Sequence, residues 1–296
     1  MHLLGIGGSG MSGLARIMLD RGARPSGADS HDSPVVEELR RSGIPVAIGA
    51  ESTANPIPED VDLVVASAAI PDDDPALRAA RDSGLRTITY AEAVGLSMKG
   101  RTGVSIAGTH GKSTTTSMLA HALVECGLDP SFIAGARCPQ LGGGWRVGAP
   151  EIEIDGAPRP GVFVAEACEF NRSFHRHRPT IALINNVEED HLDFYGSIDE
   201  IVESFRDFAR LIPSASDGGR LLIAHEGGHR REICTGLACR VETFGFAPSA
   251  DHQIVHDAGT GRVGILQDGA MVVGWNSKLV GDHNALNAGA AAILEI

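Results

Sequence analysis

The sequence predicts an α/β chain built as two successive parallel-sheet domains. Three observations carry that reading. Short apolar strands alternate with amphipathic helices through the first hundred residues, a second strand–helix series follows a short polar break, and each series opens on a glycine-bearing loop between strand and helix. A chain of 296 residues also exceeds what one core of ordinary size holds, so two domains are the natural division.

In chain order, His2–Ile6 reads as a strand and Met11–Arg21 as a helix that Gly22 can end. Val35–Ser42 is a second helix, Val61–Ser67 an apolar strand, Pro75–Ser83 a third helix stopped by Gly84, and Arg86–Ile88 a short strand. Such alternation implies parallel strands with right-handed crossovers. Gly95–Gly103 is polar and marks the break, which divides the chain into residues 1–98 and 99–296. The second series runs through a strand at Val104–Ala107, a helix at Ser113–Cys126, strands at Val162–Ala167 and Ile181–Val187, a helix at Ile198–Leu211 and a strand at Leu221–Ala224. Val263–Trp275 reads as a hairpin turning at Asp268-Gly269. Asn284–Ile296 reads as an alanine-rich helix that stops without a cap, as though the chain were cut there.

Composition excludes several classes. Hydrophobic residues at 43% and charged residues at 21% describe a soluble globular protein, with no apolar run long enough to span a bilayer. The start goes straight into a glycine loop with no basic leader, so a cytoplasmic protein is expected. Five scattered cysteines (Cys126, Cys138, Cys168, Cys234, Cys239) form no C-x-x-C pair, which argues against a zinc site or a disulfide framework. A net charge of −13 disfavours a nucleic-acid surface. It leaves room for small anions held by backbone N–H groups and a few local cations.

Five motifs carry the chemistry. Gly5-Ile6-Gly7-Gly8-Ser9-Gly10 fits G-x-G-x-x-G between a strand and a helix, where backbone N–H groups and the helix dipole can meet a pyrophosphate. Asp29 lies where an acidic residue reaches a ribose or a base. A tight turn with no ligand is the alternative. The second motif, Gly108-Thr109-His110-Gly111-Lys112-Ser113, followed by Thr114, sits between a strand and a helix as a phosphate loop requires. Lys112 is suited to the β/γ oxygens of ATP and the Ser113 hydroxyl to Mg²⁺. The general pattern wants glycine where Ile106 stands, and Gly108 supplies the flexibility instead. Glu166-Ala167-Cys168-Glu169 and Asn185-Asn186-Val187-Glu188-Glu189-Asp190-His191 close two later strands, where carboxylates and a histidine can hold Mg²⁺ beside phosphates. Gly281-Asp282-His283-Asn284-Ala285-Leu286-Asn287 opens the last helix, and Asp282 or Asn284 could simply cap it. His175-Arg176-His177-Arg178 reads as an exposed basic turn.

In this order the motifs resemble the Mur ligase family, over residues 3 to about 290. The resemblance implies a Rossmann-like N-terminal domain followed by a P-loop ATPase-like central domain, with the family's C-terminal domain absent. The Gly-x-Gly-Gly-x-Gly-Met-Ser-Gly opening and the histidine of the phosphate loop resemble most the branch that adds L-alanine to UDP-N-acetylmuramate. On that resemblance, Gly7, Gly8, Ser9, Gly10 and Met11 bind the diphosphate of the UDP-sugar, with Asp29 and Ser67 near the uridine. Lys112 serves the γ-phosphoryl group, Ser113 and Glu166 hold one Mg²⁺, and His191 helps hold a second. His283, Asn284 and Asn287 lie near the adenosine of ATP. The segment at Gly49-Ala50-Glu51 lacks the Gly-His pair expected of a uridine-side loop. The implied reaction joins L-alanine to the lactyl carboxylate through an acyl phosphate. The alternatives are a murein peptide ligase, an NAD-dependent dehydrogenase built on the first loop, and a nucleotide-binding module without catalysis. The dehydrogenase leaves Gly-Lys-Ser unexplained.

Overall fold

The computed structural model describes residues 1–49 and 57–295. Its contacts divide the chain into two compact units, residues 1–97 with 133–147, and residues 98–132 with 148–296. The return of residues 133–147 to the first unit is announced by no break in the sequence pattern. Residues 50 and 51 of the expected uridine-side loop lie outside the described residues.

The first unit holds a parallel sheet of five strands: β1 (His2–Leu4), β2 (Ser26–Asp29), β3 (Val46–Ile48), β4 (Leu63–Ala66) and β5 (Arg86–Thr89). Their order is β3-β2-β1-β4-β5, so the chain reverses direction across the sheet between β1 and β4. That reversal opens a crevice beyond the carboxyl ends of the two strands, where open α/β sheets take their ligands. Helices α1 (Ser9–Asp20), α2 (Pro34–Arg41), α3 (Pro75–Asp82) and α4 (Tyr90–Ser97) complete the alternation. Helix α1 begins at Ser9, two residues earlier than its apolar periodicity suggests, because Gly8 takes the extended N-cap geometry and the Ser12 N–H donates to its carbonyl. Ser33 caps α2 with Pro34 in its first turn, and Asp74 caps α3 with Pro75, both fitting the preference for proline at the first helical position. Residues 90–97, part of them expected to be a polar break, are helical with Ala91, Ala93 and Val94 buried.

The second unit is organised on a larger sheet whose order runs β17-β16-β15-β14-β13-β12-β6-β11, then the start of β7. The strands are β6 (Thr102–Ala107), β7 (Ser131–Cys138), β11 (Val162–Glu166), β12 (Ile181–Ile184), β13 (Arg220–Ala224), β14 (Arg240–Gly245), β15 (His252–Asp257), β16 (Arg262–Gln267) and β17 (Ala270–Asn276). Strand β8 (Gly143–Arg146) belongs to the first unit, and β9 (Glu151–Ile154) with β10 (Ala157–Pro160) forms a separate hairpin. Strands β6, β11, β12, β13, β14 and β15 are parallel, and β16 and β17 extend that edge with antiparallel pairing. The expected hairpin turns at Asp268 and Gly269, both at positive φ, as a type I′ turn demands.

Helices α5 (Lys112–Glu125), α6 (Leu192–Tyr195), α7 (Ile198–Ala209), α8 (Arg230–Cys234) and α9 (Asp282–Glu295) surround this sheet. Ser197 caps α7, which buries Ile201, Val202, Phe205, Phe208 and Ala209. These positions recur at helical spacing and form one apolar stripe. Phe174 stacks on Phe208 at 4.7 Å and meets Phe205 edge-on at 5.1 Å. Among the described residues no helix is long and apolar enough to cross a membrane.

The run His175–Arg178 is not the exposed turn its charges suggest. His177 is 6% exposed and shares a hydrogen bond of 3.0 Å with the buried Ser105 hydroxyl. Phe174, anchored in the core, draws the chain inward at this point. Burial lowers the His177 pKa from 6.5 to about 4. The unfolded chain therefore takes up a proton below pH 6.5 that the folded protein refuses until about pH 4. Stability is complete above the unfolded value and falls as the pH drops between the two, by about 2 kcal/mol at pH 5. Thermal melts from pH 7.5 to 4.5 should show this loss. The slope of Tm against pH should be shallower in His177→Gln.

Candidate nucleotide-binding sites

In the first unit the loop after β1 turns at Gly5, whose φ is +77°. The Gly7 N–H donates to the Asp29 carboxylate at 2.8 Å, and the His31 N–H donates to its other oxygen at 3.2 Å. A Cβ on Gly7 would stand 2.9 Å from that carboxylate, so any larger residue would have to push the Asp29 side chain aside. Gly10 is equally constrained, since a Cβ would lie 2.6 Å from the Tyr90 hydroxyl. Ser9, Gly10 and Met11 begin α1, and the N–H groups of a helix's first turn have no intrahelical acceptors. Beside this helix start lies a cavity of about 450 Å³, lined among others by Gly5, Gly8, Asp29, Ser30 and Ser67. The sequence-expected residues Gly8, Asp29 and Ser67 therefore share one crevice at the ends of β1, β2 and β4.

In the second unit the loop from β6 to α5 has the form of a phosphate cradle. Gly108 has φ +135°, and Gly111 caps α5 at φ +83°. Ile106, at the place where the general loop pattern wants glycine, is a fully buried residue of β6. The loop is held from β12. The Thr109 N–H donates to the Asn186 carbonyl at 3.0 Å, the His110 N–H to Asn186 Oδ1 at 2.7 Å, and Asn185 Nδ2 to Thr115 Oγ1 at 3.1 Å. Asn185 and Asn186 fall just beyond the end of β12 rather than within it, and this lets their amides wrap the loop.

Two carboxylates from the end of β11 face the head of α5. Ser113 Oγ donates to Glu166 at 2.8 Å. Lys112 Nζ donates to the Gly108 carbonyl at 2.7 Å, to the Thr109 carbonyl at 3.0 Å and to Glu169 at 3.1 Å. Glu169 is 2% exposed and anchored through its backbone, where its carbonyl accepts from the Tyr195 hydroxyl. His191, in the left-handed conformation before α6, groups with Asp190 and Glu169, their ligand atoms within 4.8 Å of one another. Two oxygen-rich sets thus stand at one end of the sheet, Ser113 with Glu166 and Glu169 with Asp190 and His191. Hard oxygen donors of this kind suit Mg²⁺.

The last motif divides. Asn287 is 8% exposed and packs on the loop itself, since a Cβ on Gly111 would meet its Oδ1 at 2.6 Å. His283 is exposed in the first turn of α9, and Asn284 donates to the Val280 carbonyl at 2.8 Å. Sequence reasoning passed over Glu169, Asp190, Asn185 and Asn186 as individual site residues. Each stood inside a recognised motif, and only the fold separates the residues that face the loop from those that do not.

Fold and site together define a protein of two successive α/β units, each with a glycine-bearing loop that leads from a strand into a helix. Residues 1–102 match the family model described as Mur ligase family, catalytic domain, and residues 106–294 match the Mur ligase middle domain. The chain belongs to the Mur ligase family. It is 43% identical over 295 residues to the UDP-N-acetylmuramate–L-alanine ligase of Paenarthrobacter aurescens, covering 98% of this chain and 61% of that protein. To the enzyme of that name from Clostridium beijerinckii it is 38% identical over 296 residues, covering 97% and 60%. The chain thus spans about 60% of the length of these relatives. Among solved structures, it is similar to the UDP-N-acetylmuramate:L-alanyl-gamma-D-glutamyl-meso-diaminopimelate ligase of Neisseria meningitides, with a TM-score of 0.88, 28% identity and coverage of 99% of this chain and 92% of that one. It is also similar to the UDP-N-acetylmuramate-alanine ligase of Thermotoga maritima, with a TM-score of 0.79, 25% identity and coverage of 99% and 64%.

Proposed function

We propose that this chain supplies the nucleotide-sugar and ATP sites of an ATP-dependent ligase that joins L-alanine to the lactyl carboxylate of UDP-N-acetylmuramate, a step of peptidoglycan precursor synthesis carried out in the cytoplasm. The observation that carries the reading is the head of α5, where Lys112 and Ser113 lie side by side on a phosphate-type loop and each faces a carboxylate. The names of the curated relatives support the choice of substrates.

In this reading the helix start at Ser9–Met11 takes the diphosphate, and the crevice at Asp29 and Ser67 takes the uridine. Binding energy from these remote groups orients the reacting carboxylate. That carboxylate attacks the γ-phosphorus of ATP, giving an acyl phosphate and ADP. The amine of L-alanine then attacks the acyl carbon and phosphate leaves, which forms the amide. Both partners of the first step are anionic, so their approach requires cations. Lys112 is one, held by the loop carbonyls within reach of the phosphates. Ser113 with Glu166, and His191 with Asp190 and Glu169, would hold Mg²⁺, which when bound neutralises phosphate charge. His110, Thr109 and Thr114 line the phosphate loop, and His283 and Asn284 stand toward the adenosine.

Calorimetry with UDP-N-acetylmuramate and with Mg²⁺-ATP, each alone, tests the two sites. Both ligands should bind. Asp29→Ala, which releases the Gly7 N–H, should weaken the nucleotide sugar about tenfold and leave ATP unchanged. Failure of either ligand to bind at millimolar concentration would overturn the reading. A second reading, attachment of a recycled peptide to the same nucleotide sugar, draws on the likeness to the Neisseria enzyme. Product formation with L-alanine against that with a tripeptide separates the two.

A further inference from the structure

Lys112 has three N–H donors, and all of them are engaged, by the Gly108 and Thr109 carbonyls and by the Glu169 carboxylate. Its contacts to the two Glu169 oxygens are 3.1 and 2.9 Å, and the side chains are only 13% and 3% exposed. This is a buried ion pair, and in this arrangement the ammonium has no donor to offer a phosphate oxygen. The loop carbonyls belong to the cradle and stay with it. The exchangeable partner is Glu169.

Glu169 is held at its backbone and buried at its side chain. Its backbone carbonyl accepts from the Tyr195 hydroxyl and from the Arg172 N–H, and its residue is sealed in the core side of the site. Once a phosphate takes Lys112, a buried carboxylate is left uncompensated, a costly state. Its neighbours Asp190 and His191 add ligand atoms but no fixed positive charge.

We infer that Glu169 couples nucleotide binding to cation binding: it parks Lys112 while the loop is empty, and a divalent cation held with Asp190 and His191 replaces the lysine as its counter-ion when a triphosphate arrives. The inference rests on the phosphate-site reading above and adds to it a positioning residue and an order of dependence. Nucleotide without metal must break the Lys112–Glu169 pair with nothing in exchange. Nucleotide with metal trades one counter-ion for another.

The test is the affinity for ATP, measured by calorimetry in EDTA and in excess MgCl₂, for the protein and its variants. Glu169→Gln should raise the metal-free affinity about tenfold and shrink the gain from Mg²⁺ by about the same factor, since the two couplings are reciprocal. Asp190→Asn removes a nearby charge that does not hold Lys112 and should raise the metal-free affinity less than about threefold. In a Lys112→Ala background, Glu169→Gln should likewise have less than about a threefold effect, because the pair no longer exists. Glu169→Asp keeps the charge and should keep the Mg²⁺ dependence, which holds the test open if Glu169→Gln folds poorly. Unchanged or weaker metal-free binding in Glu169→Gln would overturn the inference. So would an equal gain in Asp190→Asn, or a gain that persists without Lys112. Absence of ATP binding by the unaltered protein in both buffers would remove the phosphate site itself.

Discussion

Lys112→Ala is expected to lower the rate of ATP-dependent amide formation by about 10²–10³-fold or more, while affinity for the nucleotide sugar stays within about twofold. The asymmetry follows from where the ammonium sits. It is fixed at the head of α5 by two carbonyls of its own loop and by Glu169, in the second unit, whereas the residues proposed for the diphosphate and uridine belong to the first. Charge accumulates on the transferring phosphoryl oxygens, and an ammonium that has exchanged Glu169 for the bound triphosphate is in place before transfer and costs no further reorganisation at that moment. Steady-state rates at saturating substrates, with calorimetry of UDP-N-acetylmuramate alongside, measure both halves of the expectation. A variant that turns over at an unaltered rate would remove Lys112 from the chemistry.

Gly111→Ala should be nearly as damaging, for a purely steric reason. Gly111 caps α5 at φ +83°, a conformation that costs an L-residue roughly 1–2 kcal/mol. The added methyl carbon would also stand 2.6 Å from Asn287 Oδ1 and 3.0 Å from Asn185 Nδ2. Asn185 is the residue that ties the loop to Thr115, so moving it opens the cradle from behind. ATP affinity is expected to fall by about tenfold to a hundredfold, with Tm lower by several degrees. Titration with ATP and a thermal melt of the same variant test it. Native affinity at native Tm would mean that the loop does not hold phosphate in this conformation.

The legible parts of the fold were those with an apolar pattern and a loop that has one use. Gly-Lys-Ser after the run Val104–Ala107 announces a strand, a turn and a helix at once, and the structure has β6, Gly111 at positive φ and α5 there. Strand β2 shows the opposite case. Ser26-Gly27-Ala28-Asp29 carries no apolar signature although it lies inside the sheet, and there Gly27 passes so close to β1 that a Cβ would meet the Leu3 carbonyl at 2.6 Å. Backbone approach selected glycine, and no periodicity reports that. The basic run at His175–Arg178 misled for a related reason, since a short turn can send one neighbour inward and the next outward, and His177 went inward. Within the site, the family resemblance singles out Glu166 beside Ser113, and nothing in the letters gives Glu169 a role of its own. Their separation into a partner for Ser113 and a partner for Lys112 depends on the turn that follows β11.

Strand β6 lies between β12 and β11, pairing Val104 with Ile181 and Thr102 with Val162. Both neighbours are made long after it, so the chain must close two wide loops before the cradle has walls, and pairings of such sequence separation form slowly. A ribosome that has released only the phosphate loop and α5 has therefore produced a helix with a glycine turn and no receptor. The loop has both its walls only once the segment through His191 has docked. On the function proposed above, nucleotide binds the finished state alone and so stabilises it over every earlier one.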